Sequence, residues 1–480
     1  MDTSILSVQN VCPVFASRIF SQPINWDIKE GEHWAIIGPN GAGKSRLIDI
    51  VMGKHALRTG EIRCRNGAKI SEIAKYVAFT NIYTFVDVSR SYYQQRWNTG
   101  DQQTAPFVRD VFARANAEEG VGDKLTALFG VNEWMDKRIN MLSSGELRKT
   151  LIVLSLLSKP RVLILDNPYI GLDAESRCVL NEMFDRLACL EKVQIVAVVS
   201  NPSDVPPITT RVLPVKDGLL LPPRNCEGFL KDESFMGELF DKKFPEIGFP
   251  SGNESGSSDF ENVLVFKNVR IKYGNRTILE KLNWTMRRGE KWLLQGENGS
   301  GKSTLLSLIF CDNPQSYAND ITLFDRKRGA GQSIWEVKSR IGFVSPELTT
   351  YYRKNITCLE VVASGFFDII GSPRSSNARQ QNLALQWMRM LGIEYLKEAS
   401  FLNVSTGERQ LVLLARAFVK KPDLLIMDEP LHGLDMNHKI RVNNIISAYC
   451  SPEKSLIYVT HYDNEIPPVV NRRMTLKKQD

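Results

Sequence analysis

Two stretches of this 480-residue chain combine closely spaced glycines with a lysine and a hydroxyl. They are Gly38-Pro39-Asn40-Gly41-Ala42-Gly43-Lys44-Ser45 and Gly296-Glu297-Asn298-Gly299-Ser300-Gly301-Lys302-Ser303, the second continued by Thr304. Both fit the pattern GxxxxGK[ST]. Glycines let successive backbone N–H groups curl around a phosphate, and the helix that follows adds positive potential at its start. The lysine reaches the β- and γ-phosphates, and the serine hydroxyl is a ligand for Mg²⁺. An ordinary glycine-rich turn is the competing explanation for either stretch alone. Two matches at equivalent places, each after a β-rich apolar run (34–37 and 292–295), leave it little room.

Carboxylates come next. Leu163–Asp173 (LILDNPYIGLD) and Leu425–Asp435 (LIMDEPLHGLD) each open as an apolar strand that ends in aspartate. Asp166 and Asp428 would stand at the strand tips, where a carboxylate can hold the water shell of a metal bound with the phosphates. The following residue is Asn167 in the first copy and Glu429 in the second. A carboxylate there can take a proton from an attacking water, and an amide cannot. About 20 residues before each acidic strand stand Leu142-Ser143-Ser144-Gly145-Glu146 and Val404-Ser405-Thr406-Gly407-Glu408. Alone, Ser-x-Gly-Glu reads as a helix N-cap with an acid in the first turn. Its place between phosphate loop and acidic strand makes it informative.

These motifs recur as a set. Gly31-Glu32-His33-Trp34 returns as Gly289-Glu290-Lys291-Trp292, 258 residues on, as do the two glycine loops, and the acidic strands return at 262. So constant an offset indicates duplication of a whole domain rather than a short-period solenoid. Strand–loop–helix alternation within each copy predicts a largely parallel sheet covered by helices. Between the copies, Pro222-Pro223, an amphipathic stretch Phe229–Phe240 and the Gly/Ser-rich 251–259 predict a linker with a short helix. The expected domains are 1–217 and 262–480, with 218–261 as linker.

Composition narrows the function classes. Apolar residues are 43% and charged residues 24%, an ordinary globular balance. Sixty-one basic against 54 acidic side chains give a net charge of +7, spread without a long Lys/Arg block, so no nucleic-acid patch is indicated. The eight cysteines form no CxxC pair and no cluster near the start, which argues against iron–sulfur clusters and fits reduced buried thiols in a cytoplasmic protein. No leader pattern opens the chain. No apolar run approaches the ~18 residues that cross a bilayer, so any role at the inner face of a membrane would need a partner.

Phosphate loop, Ser-x-Gly-Glu, acidic strand and Gly-Leu-Asp, in that order and twice, resemble the ATP-binding-cassette (ABC) ATPases. The resemblance implies two α/β P-loop NTPase domains. Each would have a parallel core sheet flanked by helices, an antiparallel β part and a helical subdomain bearing the Ser-x-Gly-Glu signature. It implies ATP with Mg²⁺, held at two sites where the cassettes of one chain pair, so that a monomer suffices. One site would combine Lys302, Ser303, Asp428, Glu429 and His461 with Ser143 and Gly145. The other would combine Lys44, Ser45, Asp166, Asn167 and Asn201 with Ser405 and Gly407. Tyr273, and Phe15 in the first copy, resemble the aromatic that stacks on adenine. His461 resembles the switch histidine at the γ-phosphate, and Asn201 stands at its place in the first copy. Gly171-Leu172-Asp173 and Gly433-Leu434-Asp435 resemble the D-loops. The glutamine that couples such cassettes to membrane subunits is not evident after Tyr76-Val77 or after Gly342-Phe343-Val344. Within the family, Asn319–Ser345, Ser364–Gly371, Tyr92–Trp97, Ser143–Thr150 and Val404–Asp435 resemble the tandem-cassette ModF/PhrA proteins, described as molybdenum-transport-related or photorepair ATPases.

The expectation is an ATPase with one hydrolytic site, carried by Glu429, His461 and Lys302, and one mainly ATP-holding site. Partners would be membrane permease subunits or another cytosolic protein. A ribosome-associated ATPase of the ABC-F type is the alternative, disfavoured by a linker of about 44 residues that is neither basic nor long and helical. A regulatory ATP sensor is a third reading, disfavoured by the complete catalytic set of the second copy.

Overall fold

The computed structural model describes residues 4–14, 20, 22–79, 106–115, 121–139, 142, 144–170, 172, 174–190, 192–241, 244–250, 260–274, 276–297, 299–352, 355–368, 376–450 and 452–478. The chain separates into two compact units, the first mainly Met1–Ser89 and Gln102–Lys242, the second mainly Lys243–Leu434 and His438–Asp480.

The first unit begins with β1 (Ser4–Pro13), β2 (Ile24–Lys29), β3 (Trp34–Ile37), β4 (Leu57–Cys64) and β5 (Ala74–Ala78). It continues with β6 (Val162–Asp166), β7 (Gln194–Val199), β8 (Arg211–Lys216), β9 (Leu219–Leu220) and β10 (Arg224–Asn225). An antiparallel sheet runs in the order β2-β1-β4, and a second sheet in the order β10-β8-β3-β7-β6-β5, with β9 paired to β8. The run β8-β3-β7-β6-β5 is parallel. Its central strands read as runs of apolar sequence, Trp-Ala-Ile-Ile in β3 and Ile-Val-Ala-Val-Val after Gln194 in β7, with every residue buried. That is the pattern of a parallel sheet covered on both faces.

The second unit holds β11 (Asn262–Tyr273), β12 (Arg276–Arg287), β13 (Lys291–Gly296), β14 (Asp320–Leu323) and β15 (Arg326–Lys327). Then come β16 (Ile341–Val344), β17 (Leu424–Asp428), β18 (Ser455–Val459) and β19 (Arg472–Leu476). Its antiparallel sheet is β12-β11-β14-β15 and its parallel sheet β16-β17-β18-β13-β19. Strand for strand this is the order β5-β6-β7-β3-β8 of the first unit, so the sequence repeat is also a repeat of topology.

The stretch expected to be linker is folded over its first part. β9 and β10 extend the first unit's sheet. Two short helices, Cys226–Lys231 and Glu233–Phe240, bury Cys226, Phe229, Leu239 and Phe240 against Ala35, Ile37, Ala197, Val199 and Val212 of that sheet. Asn225 and Asp232 cap the two helices, their carboxamide and carboxylate oxygens accepting from backbone N–H groups. Pro222-Pro223 thus precedes an added layer of the first unit, because the apolar residues at 226, 229, 239 and 240 have a sheet face to cover. Among the described residues no helix is long and apolar enough to cross a membrane.

His33, just before β3, is buried, and its Nδ1 accepts the Ile195 N–H at 3.1 Å. Burial lowers its pKa from the ordinary value near 6.5, against a smaller opposing pull from Asp185. Below that ordinary value the unfolded chain binds more protons at this position than the folded one, so the contribution is present at neutral pH and is lost as pH falls through and below about 6.5. His33→Asn should flatten the fall in denaturant midpoint between pH 7 and pH 5 relative to wild type. An equal slope in the variant would show that His33 takes up a proton as readily in the folded chain as in the unfolded one.

Candidate functional site

Both glycine loops leave the C-terminal end of a central strand and enter a helix, Lys44–Val51 after β3 and Lys302–Ile309 after β13. Gly43 and Gly301 sit at the helix N-caps with φ of 103° and 94°, in the left-handed region that glycine adopts without steric cost. The first glycine of each loop is packed against the neighbouring strand. A Cβ on Gly38 would lie 1.9 Å from the Val215 carbonyl of β8, and one on Gly296 would lie 2.6 Å from the Leu476 carbonyl of β19. The backbone N–H groups can therefore line a tight phosphate cradle. Lys44 Nζ donates to the Gly38 and Pro39 carbonyls at 2.7 and 2.9 Å. Lys302 Nζ does the same with Gly296 and Glu297 at 2.6 and 3.0 Å. Each ammonium thus stands in the mouth of its loop. Ser300 Oγ, buried in the second loop, meets no hydrogen-bond partner among the described residues, a hydroxyl suited to a phosphate oxygen.

Strand order assembles the rest. β7 lies between β3 and β6, and β18 between β13 and β17. The residues after β7 and β18 are therefore placed between the phosphate loop and the acidic strand tip. In the second unit these strands bring His461 Nε2 to 3.4 Å from Glu429 Oε1. In the first unit Asn201 occupies that place, buried, and its amide donates to Asp204 at 3.3 Å. Asn167 and Glu429 share one backbone state, with φ of 52° and 46°. Their N–H groups donate to Val198 and Val459 carbonyls, each at 2.9 Å. A positive φ is tolerated by Asn and is uncommon for Glu, the kind of strain held at functional positions. The scaffold is thus the same in both copies and only the side-chain chemistry differs.

Asp166 is 6% exposed and heavily engaged. Its Oδ2 accepts from Tyr76 Oη at 2.7 Å and Ser45 Oγ at 3.2 Å, and its Oδ1 from Asn167 Nδ2 at 2.9 Å. Burial pushes its pKa up, opposed by the hydrogen bonds and by Lys44. Asp428 is half-buried at the tip of β17, and Ser303 is exposed at the start of its helix. In each unit the hydroxyl and the carboxylate are hard oxygen donors of the kind Mg²⁺ takes.

The signature serine of the second unit caps the helix Thr406–Phe418. The Ser405 N–H donates to Glu408 at 2.8 Å, and the Glu408 N–H donates to Ser405 Oγ at 3.4 Å. Gly407 and Gly145 lie in the first turns of their helices. Tyr273 ends β11, and its hydroxyl accepts from Asn313 at 2.8 Å. Phe15, Ser143 and Asn298 lie outside the described residues, as do Gly171 and Asp173. Two contributors are not legible as motifs. Tyr76 is one. Gln410 is the other, its amide donating to the Glu429 and Pro430 carbonyls at 3.4 and 3.0 Å. Only their positions, two residues before the strand end and five after the signature serine, mark them in the sequence.

If the close approach at Gly38 shapes the cradle, Gly38→Ala must move the loop away from β8. The expected result is loss of the first of two classes of binding site for a fluorescent ATP analogue, with the second class retained. Two intact classes would show that the contact is dispensable.

Known proteins agree with this reading. The ABC transporter family matches residues 21–170 and 279–432. The ABC transporter ATP-binding protein ModF of Escherichia coli is 35% identical over 93% of this chain and 91% of its own length. An uncharacterized ABC transporter ATP-binding protein of Schizosaccharomyces pombe is 25% identical over 94% of the chain and 93% of its own length. Among solved structures, the complex of the archaeal ribosomal stalk protein with the archaeal ribosome recycling factor aligns over 93% of this chain and 83% of the matched chain. Its TM-score is 0.52 at 19% identity. An RNase-L Inhibitor structure aligns over 97% of this chain and 87% of its own, with TM-score 0.53 at 18% identity. These structural likenesses concern the fold. With two matched regions, two phosphate loops on repeated α/β sheets and a relative that spans both, the chain belongs to the ABC transporter ATP-binding family, as an ATPase with two cassettes in tandem.

Proposed function

We propose that the two cassettes divide the work, the second hydrolysing ATP and the first mainly holding it. The observation that carries this is the pair Glu429 and His461, 3.4 Å apart at the strand tips of the second unit, against Asn167 and Asn201 in the first. Glu429 is the group able to accept a proton from the attacking water, and His461 holds that carboxylate from the side of β18. Lys302 and the N–H groups of Gly296–Thr304 bind the phosphates. Ser303 and Asp428 would hold Mg²⁺, as Ser45 and Asp166 would in the first unit. When bound with the nucleotide, the ion supplies positive charge that offsets the phosphates. In the first unit Asn167 spends its amide on Asp166 and offers no base, so Gly38–Ser45 can bind the nucleotide without the means to turn it over quickly.

Removing a general base costs about 10²–10⁴ in rate. Glu429→Gln should therefore lower steady-state ATP turnover by that order, and Asn167→Ala should leave it within about twofold. Comparable losses from both substitutions would refute the division of labour.

The likeness to ModF supports a role as a transport-related ATPase that works with membrane permease subunits, in a cytoplasmic setting. The ABC-F-like alternative has less support: the helices of six and eight residues that follow β10 pack on the first unit and a Gly/Ser-rich segment comes after them, with no long charged helix between the cassettes among the described residues. Glu429→Gln protein, captured from cell extract with ATP, should retain permease subunits. Recovery of ribosomal particles in their place would favour the alternative.

A further inference from the structure

At matched positions beside the metal carboxylate the first cassette carries a phenol and the second a phenyl ring. In β5, Tyr76 is in register with Ile164, two residues before Asp166. The corresponding position in β16 is Phe343, in register with Ile426, two residues before Asp428. Phe343 stacks on Phe310, with ring centroids 4.6 Å apart, and has no hydrogen to donate. Tyr76 donates to Asp166 Oδ2 at 2.7 Å, the oxygen that also accepts from Ser45, the hydroxyl expected to face the metal. With Asn167 on Oδ1, three neutral donors serve one carboxylate that is almost wholly buried. The two sites further differ in charge: Asp166 stands beside an amide, whereas Asp428 stands beside Glu429. A buried carboxylate already served by three neutral donors, with the Lys44 ammonium also acting on it, has less need of a further cation.

We propose that Tyr76 is a positioning residue that holds Asp166 in this satisfied state, so that the first cassette binds ATP with little dependence on a divalent cation, in contrast to the second. The proposal rests on the reading that both cassettes bind nucleotide, and it adds a reason for their different roles. A site that retains ATP across changes in free Mg²⁺ is suited to holding rather than hydrolysis, because phosphoryl transfer draws on the metal's charge.

The test is equilibrium binding of trinitrophenyl-ATP to full-length protein with excess Mg²⁺ or with EDTA. Lys302→Ala isolates the first site and Lys44→Ala the second. In the Lys302→Ala protein the two affinities should agree within about threefold, and adding Tyr76→Phe should make Mg²⁺ strengthen binding by about tenfold, the order expected on freeing a charged acceptor. In the Lys44→Ala protein, Mg²⁺ should strengthen binding strongly and Tyr76→Phe should change nothing. This arm also reports that the variant is folded. An unchanged ratio, or weaker Mg²⁺-dependent binding after Tyr76→Phe, overturns the proposal and would make the phenol a support for metal binding. No binding to the Lys302→Ala protein under either condition would overturn the underlying reading of the first cassette as well.

Discussion

The first glycine of each phosphate loop lies so near a carbonyl of the adjoining strand that no side chain fits between them. This approach makes the loop part of the sheet's end rather than a free turn. It holds the loop N–H groups around one point at the C-terminal edge of the parallel sheet, where open α/β sheets bind their ligands. Everything else at the site is measured from that point. The lysine ammonium lies across the loop's own carbonyls, the serine stands at the helix start, and the acidic strand tip comes up two strands away. A parallel sheet buried on both faces is what allows this, since its strands cannot slide without exposing continuous apolar sequence.

On this common frame the two copies have kept backbone and exchanged side chains. Asn167 and Glu429 hold the same left-handed conformation and the same N–H bond to the neighbouring strand. The two copies therefore differ at this position in the group placed on a common backbone. In the second copy the result is a carboxylate beside an imidazole with a second carboxylate adjacent. In the first it is an amide, a phenol and a hydroxyl gathered on one buried carboxylate. In the first copy three neutral donors from the protein thus converge on the one carboxylate.

Much of this was legible in the residues. The glycine–lysine–serine loops, the strand-ending aspartates and the constant offset between copies are short-range patterns, and each has a mechanism that needs no partner elsewhere in the chain. The contrast between Asn167 and Glu429, and between Asn201 and His461, is likewise a matter of residue type at matched positions. The sequence by itself thus determined that there are two nucleotide-binding cassettes and that they are chemically unequal.

Only the tertiary structure decided how those residues meet. Strand order places β18 between β13 and β17, and with it His461 beside Glu429; nothing local specifies which strands become neighbours. The same holds for Tyr76, whose hydroxyl finds Asp166 from 90 residues away. It holds also for 219–240, where prolines and polar residues suggest a linker and four buried apolar side chains find a sheet face to cover. Local sequence encodes turn geometry, period and the chemistry of a side chain. Partnership across strands is set by burial of the whole sheet, which is a property of the packed chain.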